Sequence, residues 1–258
     1  MVSTGLQVRS IRILGVRVDD VTHEEALARI AGFIADGRPH QIATVNVEFI
    51  MTARRHPRFR RVLDQAALCV PDSVGVLWAA RRLGHPLREQ VAGVDLAEKI
   101  AARAARQGWR LFLLGAAPGV AERAGAALQR RYPGLTVAGC YAGSPRPDDE
   151  AEIVARIRAA RPHVLFVAYG APAQDLWIAR NQQRLGVPVA MGVGGALDYF
   201  AGVVRRAPPW VRRLGLEWFY RLLRQPWRWR RQLALPHFVL LVLRERGCSP
   251  RAGERRSR

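Results

Sequence analysis

RLFLLGAAPGVAERAGAALQRR, residues 110–131, is the stretch that decides the fold. Arg110 to Leu114 reads as a buried strand closed by Gly115; Pro118 stands where a helix opens, and that helix is expected to run to Arg131. Proline suits a first helical turn, where its missing N–H costs nothing. A continuously apolar strand is covered on both faces, as strands of parallel sheets are. The pattern recurs downstream. Leu135–Cys140 is a strand and Asp148–Ala160 a helix; Val164–Ala168 is a strand ending at Gly170, and Pro172 opens a helix to about Gln183. Val187–Val193 is a last strand, ending at Gly194-Gly195. Repeated strand, glycine and helix predict a parallel α/β sheet.

Upstream, Ile11–Val18 reads as a first strand, and Thr22-His23-Glu24-Glu25 is a capping box opening a helix to about Ile34. Gln41–Val45 ends at Asn46, helical segments follow to about Ala66, and Ala67–Val70 is closed by Pro71-Asp72. Helices are expected over Val74–Arg82 and Val94–Ala105. After Phe200 the pattern changes: Pro208, Pro209, Pro226 and Pro236 punctuate short helices that carry Trp210, Trp218, Trp227 and Trp229. The expected fold class is therefore α/β, a Rossmann-like, mostly parallel sheet with flanking helices over residues 1–204. A basic, aromatic-rich helical C-terminal appendage over 205–245 and a disordered tail over 246–258 complete the division.

Charge supports that division. The 258 residues carry 41 Lys and Arg against 21 Asp and Glu, a net +20, and Lys99 is the single lysine. Genomic base composition also enriches Arg, so the total says little about partners. Its distribution says more: residues 205–258 hold fifteen Arg and three acids, +12, whereas the first 204 residues carry +8. WVRRLGLEWFYRLLRQPWRWRRQ (210–232) interleaves Arg with aromatic and Leu side chains. Such a helix suits an anionic membrane surface, a nucleic acid, or simply the domain it covers. The apolar run Phe238–Leu243 is too short to cross a bilayer, and the N-terminus lacks the apolar core of a signal peptide. Three cysteines, Cys69, Cys140 and Cys248, lack metal-ligand spacing; a reducing cytoplasm fits, with Cys69 and Cys140 as small buried hydrophobes.

Ligands of parallel α/β sheets bind at the carboxyl ends of the strands. Those ends carry Asn46, Asp72, Gly115, Gly170 and Gly194-Gly195. Neither GxGxxG nor GxxxxGK[ST] occurs, which counts against a dinucleotide oxidoreductase. Asp72 can cap the helix that follows it or act as a general base. Asp198 can be a turn residue. No histidine adjoins a plausible nucleophile, and no Asp-x-Asp motif occurs; Asp148-Asp149-Glu150 looks like a helix start, so no metal is expected.

Taken together, TVNVEFI (44–50), PDSVGVLWAARRLG (71–84), VAGVDL (91–96), LFLLGAAPGVAE (111–122), YPGL (132–135), GAPAQDLWI (170–178), GVGGALDYFAG (192–202), RRAPPW (205–210) and GLEWFYRLLRQPWRWRR (215–231) resemble the WecG/TagA/CpsF glycosyltransferases, in family order. The resemblance implies an inverting, metal-independent enzyme without a cofactor. Its donor would be a UDP-sugar of the N-acetylmannosamine, N-acetylmannosaminuronic acid or glucose type. Its acceptor would be a polyprenyl-diphosphate-linked sugar at the cytoplasmic face of the cell membrane, in cell-surface polysaccharide synthesis. The expected partners are that donor and acceptor, an anionic membrane surface and, as an open option, further copies of the chain in a homo-oligomer. Nucleic acid is not among them. A non-catalytic Arg-rich binding protein on a nucleotide-binding scaffold is the alternative.

Residue by residue, Asp72 matches the family's proposed base, Thr44 and Asn46 its pocket, and Gln174 the glutamine of GxPxQ. Arg221, Arg228 and Arg231 match appendage arginines proposed to close on the diphosphate. Gly115, Gly170, Gly194 and Gly195 fall at matching strand ends. Gln90 and Asp198 complete the substrate-binding set. Gln90 stands where the family has Arg, and Arg88 is the nearest cation that could replace it.

Overall fold

A computed structural model describes residues 8–205, 207, 208, 211, 220 and 234–248. The chain opens with a hairpin, β1 (Ser10–Ile13) antiparallel to β2 (Val16–Asp19). One strand was expected over 11–18. Leu14 and Gly15 instead take left-handed conformations, φ 49° and 81°, and fold the chain back on itself.

Helix α1 (His23–Asp36) begins at the predicted capping box: the Thr22 hydroxyl accepts from the Glu25 N–H while the Glu25 carboxylate accepts from the Thr22 N–H. The chain then builds β3 (His40–Val45), α2 (Val47–Arg55), α3 (Pro57–Gln65), β4 (Leu68–Pro71), α4 (Val74–Arg82) and α5 (Gly93–Gln107). Next come β5 (Arg110–Gly115), α6 (Val120–Arg131), β6 (Thr136–Tyr141) and α7 (Glu150–Ala160), the last entered through a short 3-10 turn. Then follow β7 (Val164–Ala168), α8 (Ala173–Leu185), β8 (Val189–Gly192) and the short α9 (Ala196–Phe200).

Strands β3 to β8 form one sheet in the order β4-β3-β8-β7-β5-β6, every neighbouring pair parallel. Alternate residues feed opposite cores. Leu111 and Leu113 face α1, α5, α6 and α9, whereas Phe112 and Leu114 face α7 and α8. On the second face Ala43 and Val45 meet α2 and α3. The chain therefore leaves β3 toward one face and the adjacent β8 toward the other. That divergence opens a crevice beyond the carboxyl ends of the two strands.

The last described helix, α10 (Ala234–Cys248), lies against α2 and α4. Phe238 and Val242 are buried in the core those helices share, so this part of the basic C-terminal stretch belongs to the body's packing. The Glu245 carboxylate accepts the Leu14 N–H at 3.2 Å, fastening α10 to the first hairpin. The helix runs through Cys248, past the boundary expected after Glu245. Cys69 is buried and Cys140 half-buried, and burial pushes their thiols up to about 12 and about 11, so neither is a nucleophile at neutral pH.

Candidate active site

A cavity of about 690 Å³ occupies the crevice. Four strand ends contribute to it: Thr44 and Asn46 from β3, Asp72 and Ser73 from β4, Gly170 from β7, Gly194 and Gly195 from β8. Gln90, Ala92 and Gly93 close one side, and α10 supplies an apolar side with Leu235, Phe238 and Val239. Helices α2, α4, α5 and α8 all begin at this cavity, so their N-terminal dipole ends converge on it. No Lys, Arg or His lines it among the described residues.

Short polar side chains set the local geometry. Asn46 caps α2, its Oδ1 accepting from the Phe49 N–H at 3.0 Å. Ser73 caps α4 by accepting from the Val76 N–H. Asp72 is thus not the cap of the helix that follows it. Its Oδ1 accepts the Gly93 N–H at 2.6 Å, at the start of α5, where Ala92 has no side chain to serve as a cap. The Gln90 amide donates to the Asp72 carbonyl at 3.3 Å. Gly93 packs closely here: a Cβ would lie 3.0 Å from Thr44 Cγ2, so a larger residue would push the Thr44 side chain by a few tenths of an ångström. The arrangement holds one carboxylate at a fixed height in a cleft suited to an anionic ligand.

The sequence profile of the glycosyl transferase WecG/TagA/CpsF family matches residues 11–252. The chain belongs to this family. It is 37% identical over 208 residues to an N-acetylglucosaminyldiphosphoundecaprenol N-acetyl-beta-D-mannosaminyltransferase of Bacillus spizizenii, covering 81% of this chain and 80% of the relative. It is 35% identical over 204 residues to the Bacillus subtilis protein of the same name, 79% of each chain. A Staphylococcus aureus protein, also of that name, is 35% identical over 234 residues, 90% of this chain and 91% of the relative.

As a WecG/TagA/CpsF glycosyltransferase, the chain gathers most of its expected site residues and disperses others. Thr44, Asn46, Asp72, Gln90, Gly170, Gln174, Gly194 and Gly195 all line the cavity. Gln174 is nearly buried, and its Oε1 accepts from the N–H groups of Gly170 at 3.1 Å and Gly194 at 3.0 Å. It ties the loops after β7 and β8 together. Gly192 makes room for it, since a Cβ there would sit 2.5 Å from the Gln174 amide nitrogen.

Gly115 is not at the cavity. A Cβ on it would meet the Ala168 backbone at 2.8 Å, so this glycine serves the close approach of β5 to β7. Asp198 also stands outside the lining; its carbonyl accepts the N–H groups of Val203 and Val204 and ends α9. Arg88 does not replace the missing cation: its guanidinium is held by Asp20 and Glu25 beside the start of α1. Arg221, Arg228 and Arg231 lie outside the described residues.

Glu48, Trp78 and Tyr199 line the cavity without having been singled out, although all three fall within segments that carry the family resemblance. Next to Gln174, Asp175 is completely buried, and among the described residues neither carboxylate oxygen has a hydrogen-bond partner. Burial pushes its carboxyl up to about 7; the side-chain amides of Gln174 and Gln41 offset part of that effect.

Proposed function

We propose that the chain moves a sugar from a UDP donor to a polyprenyl-diphosphate-linked sugar, with inversion at the anomeric carbon and without a metal ion. The position of Asp72 carries this reading: its carboxylate lies in the cavity at the strand-end crevice, held by the first turn of α5. Asp72 takes the proton of the acceptor hydroxyl as that oxygen attacks the anomeric carbon. The bond from that carbon to the UDP oxygen breaks on the opposite side, and the configuration inverts. Charge growing on the departing diphosphate meets backbone N–H groups at the converging helix starts and, in this reading, Arg221, Arg228 and Arg231.

The names of the three relatives support an N-acetylmannosaminyl donor and an acceptor bearing N-acetylglucosamine on diphosphoundecaprenol. The reading accordingly favours N-acetylmannosamine over its uronic acid and over glucose. The protein works on the inner face of the cell membrane as a peripheral enzyme; no described helix is long and apolar enough to cross a bilayer.

Transfer from a panel of UDP-sugars, with and without excess chelator, tests the reading. UDP-N-acetylmannosamine should be the preferred donor, and chelator should leave its turnover unchanged. About a hundredfold loss under chelation, restored by magnesium or manganese, would refute metal independence. Failure to use any UDP-sugar would refute the whole assignment.

A further inference from the structure

Exposed apolar side chains are ordinary when scattered and informative when clustered. Among the described residues six large hydrophobic side chains are markedly exposed, and five of them sit on two neighbouring helices. Val74 and Trp78 belong to α4; Val239, Leu240 and Leu243 belong to α10; all five are 38–47% exposed. The helices touch through Trp78 and Phe238, whose rings lie 6.5 Å apart. Three of the five, Val74, Trp78 and Val239, also line the cavity. The apolar surface therefore starts inside the cavity and continues outward along α10 from Val239 to Leu243.

A cavity of about 690 Å³ falls within the range that small ligands fill, which suits polar head groups and leaves no room for a long hydrocarbon tail. A long hydrocarbon tail on the acceptor has to leave across the rim, and the α4–α10 strip is the apolar way out. Resting on the function proposed above, we infer that this rim seats the first isoprene units of the acceptor's polyprenyl chain. The tail is read by direct side-chain contact, and the bilayer is not its only holder. Polar floor and apolar mouth match the two ends of one amphipathic substrate.

Leu240 and Leu243 are the residues to change, because they extend the strip beyond the cavity lining, whereas Phe238 and Val242 make the core contacts of α10. The test uses the full chain in detergent micelles, with UDP-N-acetylmannosamine and two acceptors sharing an N-acetylglucosaminyl diphosphate head. One acceptor carries a long polyprenyl chain and the other a short, water-soluble hexyl chain. The double variant L240S/L243S should lose about tenfold in kcat/KM on the polyprenyl acceptor, mostly through KM, and nothing on the hexyl acceptor. Its melting temperature and UDP binding should match the wild type, and L240M/L243M should behave as wild type.

Equal losses on both acceptors, or no loss on either, would overturn the inference. So would a drop in binding to anionic vesicles lacking acceptor, with the ratio between acceptors unchanged, since the strip would then face the bilayer. A wild-type oligomer that the double variant dissolves, again with an unchanged ratio, would assign the strip to a second copy. If the proposed function itself is wrong, wild type uses neither acceptor; if only the rim is misassigned, wild type uses both and the variant does not distinguish them.

Discussion

Two carboxylates, Asp72 in the cavity and Asp175 buried beside Gln174, do different work. Asp72→Asn keeps an oxygen to accept the Gly93 N–H, so the start of α5 stays capped and only proton acceptance is lost. Transfer should fall by about 100- to 10,000-fold with UDP affinity and melting temperature unchanged. Wild-type turnover in that variant would leave Asp72 as a cap alone. Asp175 is the opposite case, a carboxyl whose ionisation the folded state resists. Its value is 3.8 in the unfolded chain and about 7 in the fold, so its stability contribution is complete below pH 3.8 and is lost as pH rises through about 7. The full loss is on the order of 4 kcal/mol. Asp175→Asn stays neutral throughout. Its melting temperature should therefore gain on wild type between pH 5 and pH 8, and a difference independent of pH would contradict this.

Among elements, the caps separate stability from activity. Thr22 and Asn46 each cap a helix, and removing either side chain should cost about 1 kcal/mol, or about 2–4 °C in melting temperature for a chain of this size. Only Asn46 lines the cavity. Thr22→Ala should thus leave kcat/KM alone while Asn46→Ala lowers it, and paired melting and kinetic measurements check the contrast. The same elements show what a linear reading can reach. Val164–Ala168 and Val74–Arg82 were legible to the residue, because an unbroken apolar run and a helical spacing are local properties. The β1–β2 turn was not: leucine is an unusual residue at φ 49°, and Gly15 is the single local sign of a reversal within an otherwise strand-like run. Asp72 looked like the cap of α4 because it adjoins α4 in sequence. Its real partner is Gly93, twenty-one residues on, brought near by the parallel strands. Gln174 was picked out by the family resemblance of its GxPxQ segment, but its grip on both Gly170 and Gly194 exists only once β7 and β8 lie side by side.

At the scale of the molecule, +12 over residues 205–258 beside a +8 body predicts attachment that salt controls. Basic residues near an anionic surface contribute about 1 kcal/mol each, fading with screening. The protein should co-sediment with anionic vesicles at low ionic strength and be released as salt rises; no binding at any salt would refute this. The seating of α10 on α2 and α4 has a further consequence, for the chain while it is being made. Arg82 is complete long before Ala234 is added, and at about 5–20 residues per second the interval is roughly eight to thirty seconds. Throughout that time the sides of α2 and α4 that Phe238 and Val242 will cover are open to water. The nascent polypeptide therefore carries a sticky, unfinished groove beside the strand-end cavity, a natural foothold for chaperones, until α10 docks.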